Sequence, residues 1–245
     1  MISAQIHDRL GVLAFGDSIT NGGGELQWGV ALQSWALWTA RGLGLSYTCY
    51  AVDGATAAGV TDHQIPFFTR VTATPAAQYQ LGCLYIGTND VRQPSFDPQG
   101  FESLASGALS FMRERCDRLL VVLIPRDMGR PRNPLRIEQA NQALEHAALL
   151  TNALTLDLRG FGGRRLMMAD HVHPTALGQV AMAELALDLL AADGMEVKAR
   201  PSAMVSYRTT AAGRARGDLT YAYRHLKQDA LLRYHLLRHR LLTPP

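Results

Sequence analysis

The chain contains 245 residues, of which 47% are hydrophobic, and it carries a formal net charge of +3 at pH 7. A chain of this length can bury a full core, and it fits one α/β domain with an appendage better than two equal domains. No apolar run approaches the roughly 20 residues of a membrane span, and the opening sequence MISAQIHDRL lacks the features of a secretory signal. We therefore expect a cytoplasmic protein whose three scattered cysteines, Cys49, Cys83 and Cys116, are buried thiols forming neither disulfides nor a metal site.

Short apolar runs alternate along the chain with longer helical patterns. The runs predict strands over 11–15, 45–52, 81–87, 118–124 and 153–158, and the patterns between them predict helices over 26–42, 56–70, 98–116, 134–151 and 174–192. Nearly continuous apolar strands separated by helices indicate a parallel sheet that is covered on both faces. The fold class is therefore α/β, a doubly wound three-layer α/β/α sandwich with a five-stranded sheet, whose site lies at the carboxyl ends of the strands.

Chemically suggestive residues follow these strands. Ser18 comes after the first strand, Gly54 after the second and Asn89 after the third, and the late segment ADHVHPT carries Asp170 and His173. A serine hydroxyl needs a base to take its proton, and a third group that fixes the tautomer of that base. The backbone N–H groups of Ser18 and Gly54 and the amide of Asn89 lie on neighbouring strand ends, where they could converge on a developing oxyanion.

Four sequence blocks in this order, FGDSITNG, VDGATAAG, IGTND and DHVHP, resemble the SGNH (GDSL-type) hydrolases over residues 11 to about 192. The resemblance implies that Ser18 is the nucleophile, His173 the general base and Asp170 the residue that orients it. It also implies that Ser18, Gly54 and Asn89 form the oxyanion hole.

Other interpretations remain open for several of these residues. Ser18 could merely cap the following helix, and His171 competes with His173 as the base, although its spacing of one from Asp170 points the two side chains apart. Asp17 and Asp90 are expected to organise their loops through backbone hydrogen bonds.

Two further features near Ser18 are ambiguous. Trp28, Trp35 and Trp38 share one face of the first predicted helix, which favours core packing over a wall for an acyl chain. The glycines of NGGG, residues 21–24, would let the backbone approach a bulky substrate or let the loop close over it.

Arginines crowd the loops expected around the site, and we assign substrate contacts to Arg92, Arg126 and Arg130, with Trp28 beside them. Positive loops on an otherwise acidic body suggest an anionic substrate, such as a carboxylate or the phosphates of coenzyme A, although ordinary solvated charges would look the same. Together with the absence of an export signal, they favour acyl transfer over the hydrolysis that a secreted esterase performs.

The segments at 6–38 and 81–92 also resemble the octanoyltransferases of mycobacterial methylglucose lipopolysaccharide synthesis. That resemblance implies an acyl-CoA co-substrate, most simply octanoyl-CoA, a glucosylglycerate-type sugar acceptor and no bound cofactor. The alternatives are a carbohydrate esterase or thioesterase with the same site, and an inactive scaffold, which would lack a member of the triad.

The end of the chain differs from the body in charge. Residues 198–245 hold ten Lys and Arg against two Asp, a net charge of +8, which leaves −5 for residues 1–197. We predict a catalytic domain over 1–197 and a helical extension over 198–245, with an apolar stripe formed by Leu219, Tyr223, Leu226, Ala230, Leu237 and Leu241. This helix could lie on the body, form a homodimer or rest on an anionic membrane surface. Its charge alone would allow nucleic-acid binding, but it lacks a recognised fold and interleaved base-stacking aromatics, so we expect none.

Overall fold

The computed structural model describes residues 9–26, 30–72, 77–129, 133–205 and 210–242, with side chains given up to residue 234. Five parallel strands form one sheet in the order β2-β1-β3-β4-β5. Their bounds are β1 Val12–Gly16, β2 Tyr47–Cys49, β3 Tyr79–Tyr85, β4 Cys116–Val122 and β5 Leu154–Leu156. The predicted five-stranded parallel sheet is confirmed, and the prediction that apolar runs mark its strands holds because the central strands are buried on both faces.

Helices cover both faces of this sheet. α2 packs against α7, and α5 packs against α6. The helices of the described ranges are α1 Ser18–Asn21, α2 Trp35–Leu43, α3 Ala57–Gly59, α4 Ile65–Val71, α5 Pro98–Arg113, α6 Pro134–Leu150, α7 Ala176–Ala192, α8 Pro201–Met204 and α9 Ala211–Leu242. A five-residue π-helical turn, Val60–Gln64, joins α3 to α4.

The first long helix is shorter than predicted. Residues 30–34 are not helical, and α2 begins only at Trp35, because Ser34 adopts an extended backbone and its hydroxyl accepts a hydrogen bond from the N–H of Leu37. Trp35 and Trp38 are buried in the core, at 0% and 5% exposure, so they are not walls of an open cleft. Trp28 lies outside the described residues.

The last helix of the body also starts later than predicted. Thr175 caps it by accepting a hydrogen bond from the N–H of Gly178, so that α7 begins at Ala176 and Pro174 precedes the cap. Pro174 instead belongs to the turn that contains His173.

Residues 198–205 pack on the body. The N–H groups of Lys198 and Ala199 both donate to the carbonyl of Gly42 at the end of α2, and Pro201 is buried. Arg200 forms ion pairs with Glu184 and Asp188 of α7. The packed body therefore extends past residue 197, while the division of the chain into two domains stays a prediction.

Candidate active site

Ser18 stands where β1 turns sharply into α1. The turn requires Gly16, whose φ is +147° and where a Cβ would lie 2.3 Å from the carbonyl oxygen of Tyr85. The side chain of Gln64, in the π-helical turn, accepts from the N–H of Gly16 at 3.0 Å and donates to its carbonyl at 2.8 Å. The strand end that presents the serine is thus held by a buried amide from a neighbouring element.

Ser18, His173 and Asp170 form a hydrogen-bonded triad. The Ser18 Oγ lies 2.9 Å from Nε2 of His173, and Nδ1 of His173 lies 2.7 Å from Oδ2 of Asp170. Because the Asp170 carboxylate can only accept, it holds the proton on Nδ1 and leaves Nε2 to accept from the serine hydroxyl. The DHVH turn brings its own support, since the N–H groups of Val172 and His173 donate to Oδ1 of Asp170.

The electrostatics of the triad favour a protonated His173 beside an ionised Asp170. The hydrogen bond to Asp170 raises the pKa of His173 above its usual value, against an opposing effect of burial. Burial raises the pKa of Asp170, but the hydrogen bonds from His173 and from two backbone N–H groups outweigh it and leave that pKa below its usual value. The imidazolium formed during proton transfer is therefore stabilised within the site.

Asp17, directly before the nucleophile, is fully buried. Its Oδ1 accepts from the N–H of Ile19 at 2.9 Å and so caps α1. Burial raises its pKa to about 7, with the hydrogen bond from Ile19 and the nearby His173 acting in the opposite direction. The expectation that Asp17 organises its loop is confirmed.

The loops after β2 and β3 are tied together. Asn89 Nδ2 donates to the carbonyl of Ala55 at 3.0 Å, and Asp90 Oδ1 accepts from the N–H of Ala57 at 3.0 Å, so Asp90 also organises a loop as expected. Gly54 has a φ of +76°, which favours glycine, although a Cβ there would meet no atom within 4 Å. These bonds bring the Gly54 turn beside Asn89, and the oxyanion role of both residues stays a prediction.

The glycine run after α1 packs against the protein's own catalytic residues. Gly22, with a φ of +95°, ends α1, and a Cβ on Gly23 would lie 2.7 Å from the Ser18 carbonyl oxygen and 3.1 Å from Cδ2 of His173. A Cβ on Gly24 would meet the carbonyl oxygen of Pro174 at 2.3 Å. The run therefore approaches Ser18, His173 and Pro174 of the protein itself closely, and its approach to a substrate or closure over one stays a prediction.

The choice between the two histidines is settled by backbone conformation. His171 has a φ of +56°, in the left-handed region, and its ring lies 5.8 Å from that of His225 on α9, with its Nδ1 3.6 Å from Asp127. His173, two residues later, meets Ser18 instead.

The arginines assigned to substrate contacts are placed differently from one another. Arg92 is exposed, lies three residues after Asn89, and is close enough to lower the pKa of His173. Arg126 is exposed and lies 3.7 Å from Glu138. Arg130 lies outside the described residues. Substrate contact by any of them stays a prediction.

Sequence reasoning missed the buried amides that hold these loops. Gln179 of α7 accepts from the N–H of Trp35 at 2.7 Å and donates to the carbonyls of Ile19 and Gly23 at 3.0 Å each. The available signal was a lone glutamine among apolar residues at Gln179, whereas Gln64 follows three polar residues and gave no such signal. Buried amides are retained where backbone groups need partners.

The comparisons with known proteins agree with this geometry. The model of the GDSL-like Lipase/Acylhydrolase family matches residues 14–181, a region that contains the whole triad. No curated protein matches the chain.

Two solved structures share the fold. LAE5, an alpha/beta hydrolase enzyme from the metagenome of Lake Arreo, Spain, is 16% identical, with 74% of this chain and 94% of its own covered and a TM-score of 0.58. Axe2, an acetylxylan esterase from Geobacillus stearothermophilus, is 19% identical, with 78% and 100% covered and a TM-score of 0.57. The family model covers the strand ends that carry the site, and Ser18, His173 and Asp170 are joined by hydrogen bonds in that order. The chain therefore belongs to the GDSL-like lipase/acylhydrolase (SGNH) family of serine enzymes.

Proposed function

We propose that the protein transfers a short or medium acyl group, most simply octanoyl from octanoyl-CoA, through an acyl-Ser18 intermediate to a hydroxyl of a glucosylglycerate-type sugar. The observation that carries acyl-enzyme chemistry is the chain of hydrogen bonds from Ser18 Oγ through His173 to Asp170, at 2.9 and 2.7 Å. The resemblance of residues 6–38 and 81–92 to octanoyltransferases supports the donor and the acceptor.

In the first half of the reaction, Ser18 Oγ attacks the acyl carbonyl carbon while its proton passes to Nε2 of His173. The negative oxygen of the tetrahedral intermediate is stabilised by the N–H groups of Ser18 and Gly54 and by the amide of Asn89. The carbon–sulfur bond then breaks, His173 returns the proton to the departing thiolate, and the acyl group remains on Ser18.

In the second half, an acceptor hydroxyl loses its proton to His173 Nε2 and attacks the acyl-serine. Collapse of that intermediate releases the ester and returns the proton to Ser18. Water in place of the sugar hydroxyl gives a free acid, so the transferase and the hydrolase differ only in the acceptor.

Two features of the described residues fit such substrates. Gln64, which binds Gly16, also lines a cavity of about 650 Å³ whose apolar walls include Tyr50, Val52 and Phe67, which gives room for an acyl chain. Arg92, close to His173, supplies a positive charge for a carboxylate or a phosphate.

A carbohydrate esterase is the second candidate. The shared fold of Axe2, an acetylxylan esterase, supports it, as does membership of a lipase/acylhydrolase family. The ester of a sugar hydroxyl, which is the product of the transferase, is the substrate of this esterase.

The test is intact-protein mass spectrometry after incubation with octanoyl-CoA, followed by product analysis with and without glucosylglycerate. The proposal predicts one octanoyl group on Ser18, lost in Ser18→Ala and retained in the control Ser110→Ala on the exposed face of α5. Mostly ester in the presence of acceptor supports transfer. Free octanoate in both reactions supports the esterase, and undiminished turnover by Ser18→Ala overturns both.

A further inference from the structure

The C-terminal helix α9 touches the body beside the catalytic cleft through its polar side. Asp218 lies 3.4 Å from Arg164, Arg224 forms an ion pair with Glu25, and the ring of His225 faces that of His171 at 5.8 Å. The half-buried positions recur every three or four residues, as one face of a helix requires: Gly213, Gly217, Asp218, Tyr221, His225, Asp229 and Leu232.

The apolar stripe predicted from the sequence lies on the opposite side, and its members up to Ala230 are exposed. Leu219 is 72% exposed, and Tyr223 and Leu226 are each 68% exposed. Tyr234 extends the same exposed surface, and the sequence continues the stripe with Leu237 and Leu241. A helix that packs for stability buries its apolar side. α9 does the reverse, since it turns its polar edge to the body.

The charges around this exposed face have one sign. Arg216, Lys227 and Arg233, which flank the stripe on the helix, are all exposed. The two acidic residues of α9 lie on the body side, where Asp218 meets Arg164 and Asp229 lies 3.5 Å from His225. The outward surface of α9 is therefore both apolar and basic.

We propose that α9 docks this apolar, basic face on the surface of an anionic lipid bilayer. Lipid phosphates would neutralise the exposed cations while the apolar side chains enter the headgroup boundary. Pairing the same faces of two copies would instead bring like charges together. Within the described ranges, no helix is long and apolar enough to cross a bilayer, so the contact is one of a helix lying on the surface.

Docking in this way brings the catalytic cleft close to the lipid. Glu25, which holds α9 through Arg224, lies two residues after Gly23, and Gly23 packs on Ser18 and His173. The triad would then stand more than one helix diameter, roughly 10 Å, from the docked surface.

The test is co-sedimentation of the full chain with vesicles of phosphatidylcholine and phosphatidylglycerol, and with vesicles of phosphatidylcholine alone. We expect binding to the anionic vesicles only, weakened by salt because screening reduces the attraction. The triple variant Leu219→Gln, Tyr223→Gln, Leu226→Gln should lower the partition coefficient at least about tenfold. The charge variant Arg216→Gln, Lys227→Gln, Arg233→Gln should lower it to a similar extent.

A matched control is offered by α6, whose Leu135, Leu149 and Leu150 are 68%, 78% and 65% exposed. Changing these three leucines to Gln removes a similar apolar area from another helix and should leave vesicle binding intact. All variants should keep their melting temperature and their hydrolysis of a soluble ester, and if the apolar variant does not fold, the charge variant decides.

Three results overturn the proposal. The first is failure of the native chain to bind anionic vesicles, and the second is an equal loss of vesicle binding in the α6 control. The third is a native chain that binds no vesicles but forms a dimer in sedimentation equilibrium, which the α9 variant breaks. The last result would assign the face to a second copy. None of these measurements depends on the acyl donor or acceptor, so their failure is distinct from failure of the proposed function.

Discussion

Gly23→Ala tests whether the glycine run positions the nucleophile and the base. The new methyl group would lie 2.7 Å from the Ser18 carbonyl oxygen, and 3.1 Å from both Cβ of Ser18 and Cδ2 of His173. The backbone of Gly23 has no positive φ, so alanine brings a steric change without backbone strain.

The size of the effect follows from these distances. Ordinary contact for a Cβ begins at 3.4 Å, so the Ser18 carbonyl and residue 23 must separate by about 0.7 Å, the difference between 3.4 and 2.7 Å. If Ser18 moved by that amount away from His173, their 2.9 Å hydrogen bond would lengthen to about 3.6 Å and be lost. Since misplacement of a reacting group by about 1 Å costs on the order of 100-fold in rate, we expect kcat to fall by roughly 10- to 100-fold.

The assay is steady-state hydrolysis of p-nitrophenyl butyrate, with thermal unfolding followed by circular dichroism. Gly107→Ala is the control, because Gly107 is an exposed position of α5 where a Cβ meets nothing within 4 Å. It should leave kcat unchanged and stabilise the helix slightly. A folded Gly23→Ala protein with native kcat would refute the positioning role of the glycine run.

Four further predictions concern single side chains. Asp170→Asn should lower kcat by roughly 1,000- to 10,000-fold. It should also move the acid limb of the pH–rate profile to lower pH, because neutral His173 is the base and Asp170 raises its pKa; an unshifted limb would contradict this. Asn89→Ala should reduce kcat by about 100- to 1,000-fold with little change in KM, as expected for a lost oxyanion donor; a change confined to KM would argue against that role. Asp17→Asn should raise the free energy of unfolding in urea relative to the native chain, and this difference should grow as the pH rises from 3.8 to about 7. In that range the buried Asp17 of the folded protein keeps its proton while the unfolded chain releases it, which destabilises only the native sequence. A difference in unfolding free energy that does not change with pH would contradict the effect of burial. Val52→Trp, which narrows the 650 Å³ cavity, should slow hydrolysis of p-nitrophenyl octanoate much more than that of the acetate, whereas equal slowing would place the acyl chain elsewhere.

The fold was predictable because its signals are local. Each central strand is a continuous apolar run, and Pro134 begins α6 as its position predicts. Helix starts were less predictable where a single hydroxyl decides them. Ser34 and Thr175 each cap a helix later than the apolar pattern suggested, because the pattern continues through residues that are not helical.

The sequence by itself determined the sheet, the serine after β1 and the Asp170–His173 pair, since these depend on the order and spacing of residues along the chain. Tertiary structure showed where the competing His171 goes instead, since its backbone is left-handed and its ring lies 5.8 Å from that of His225 on α9. It also decided that Gly23 packs on the triad. For α9, periodicity predicted an apolar stripe but not the direction it faces, because the ion pairs that orient the helix join residues far apart in the chain.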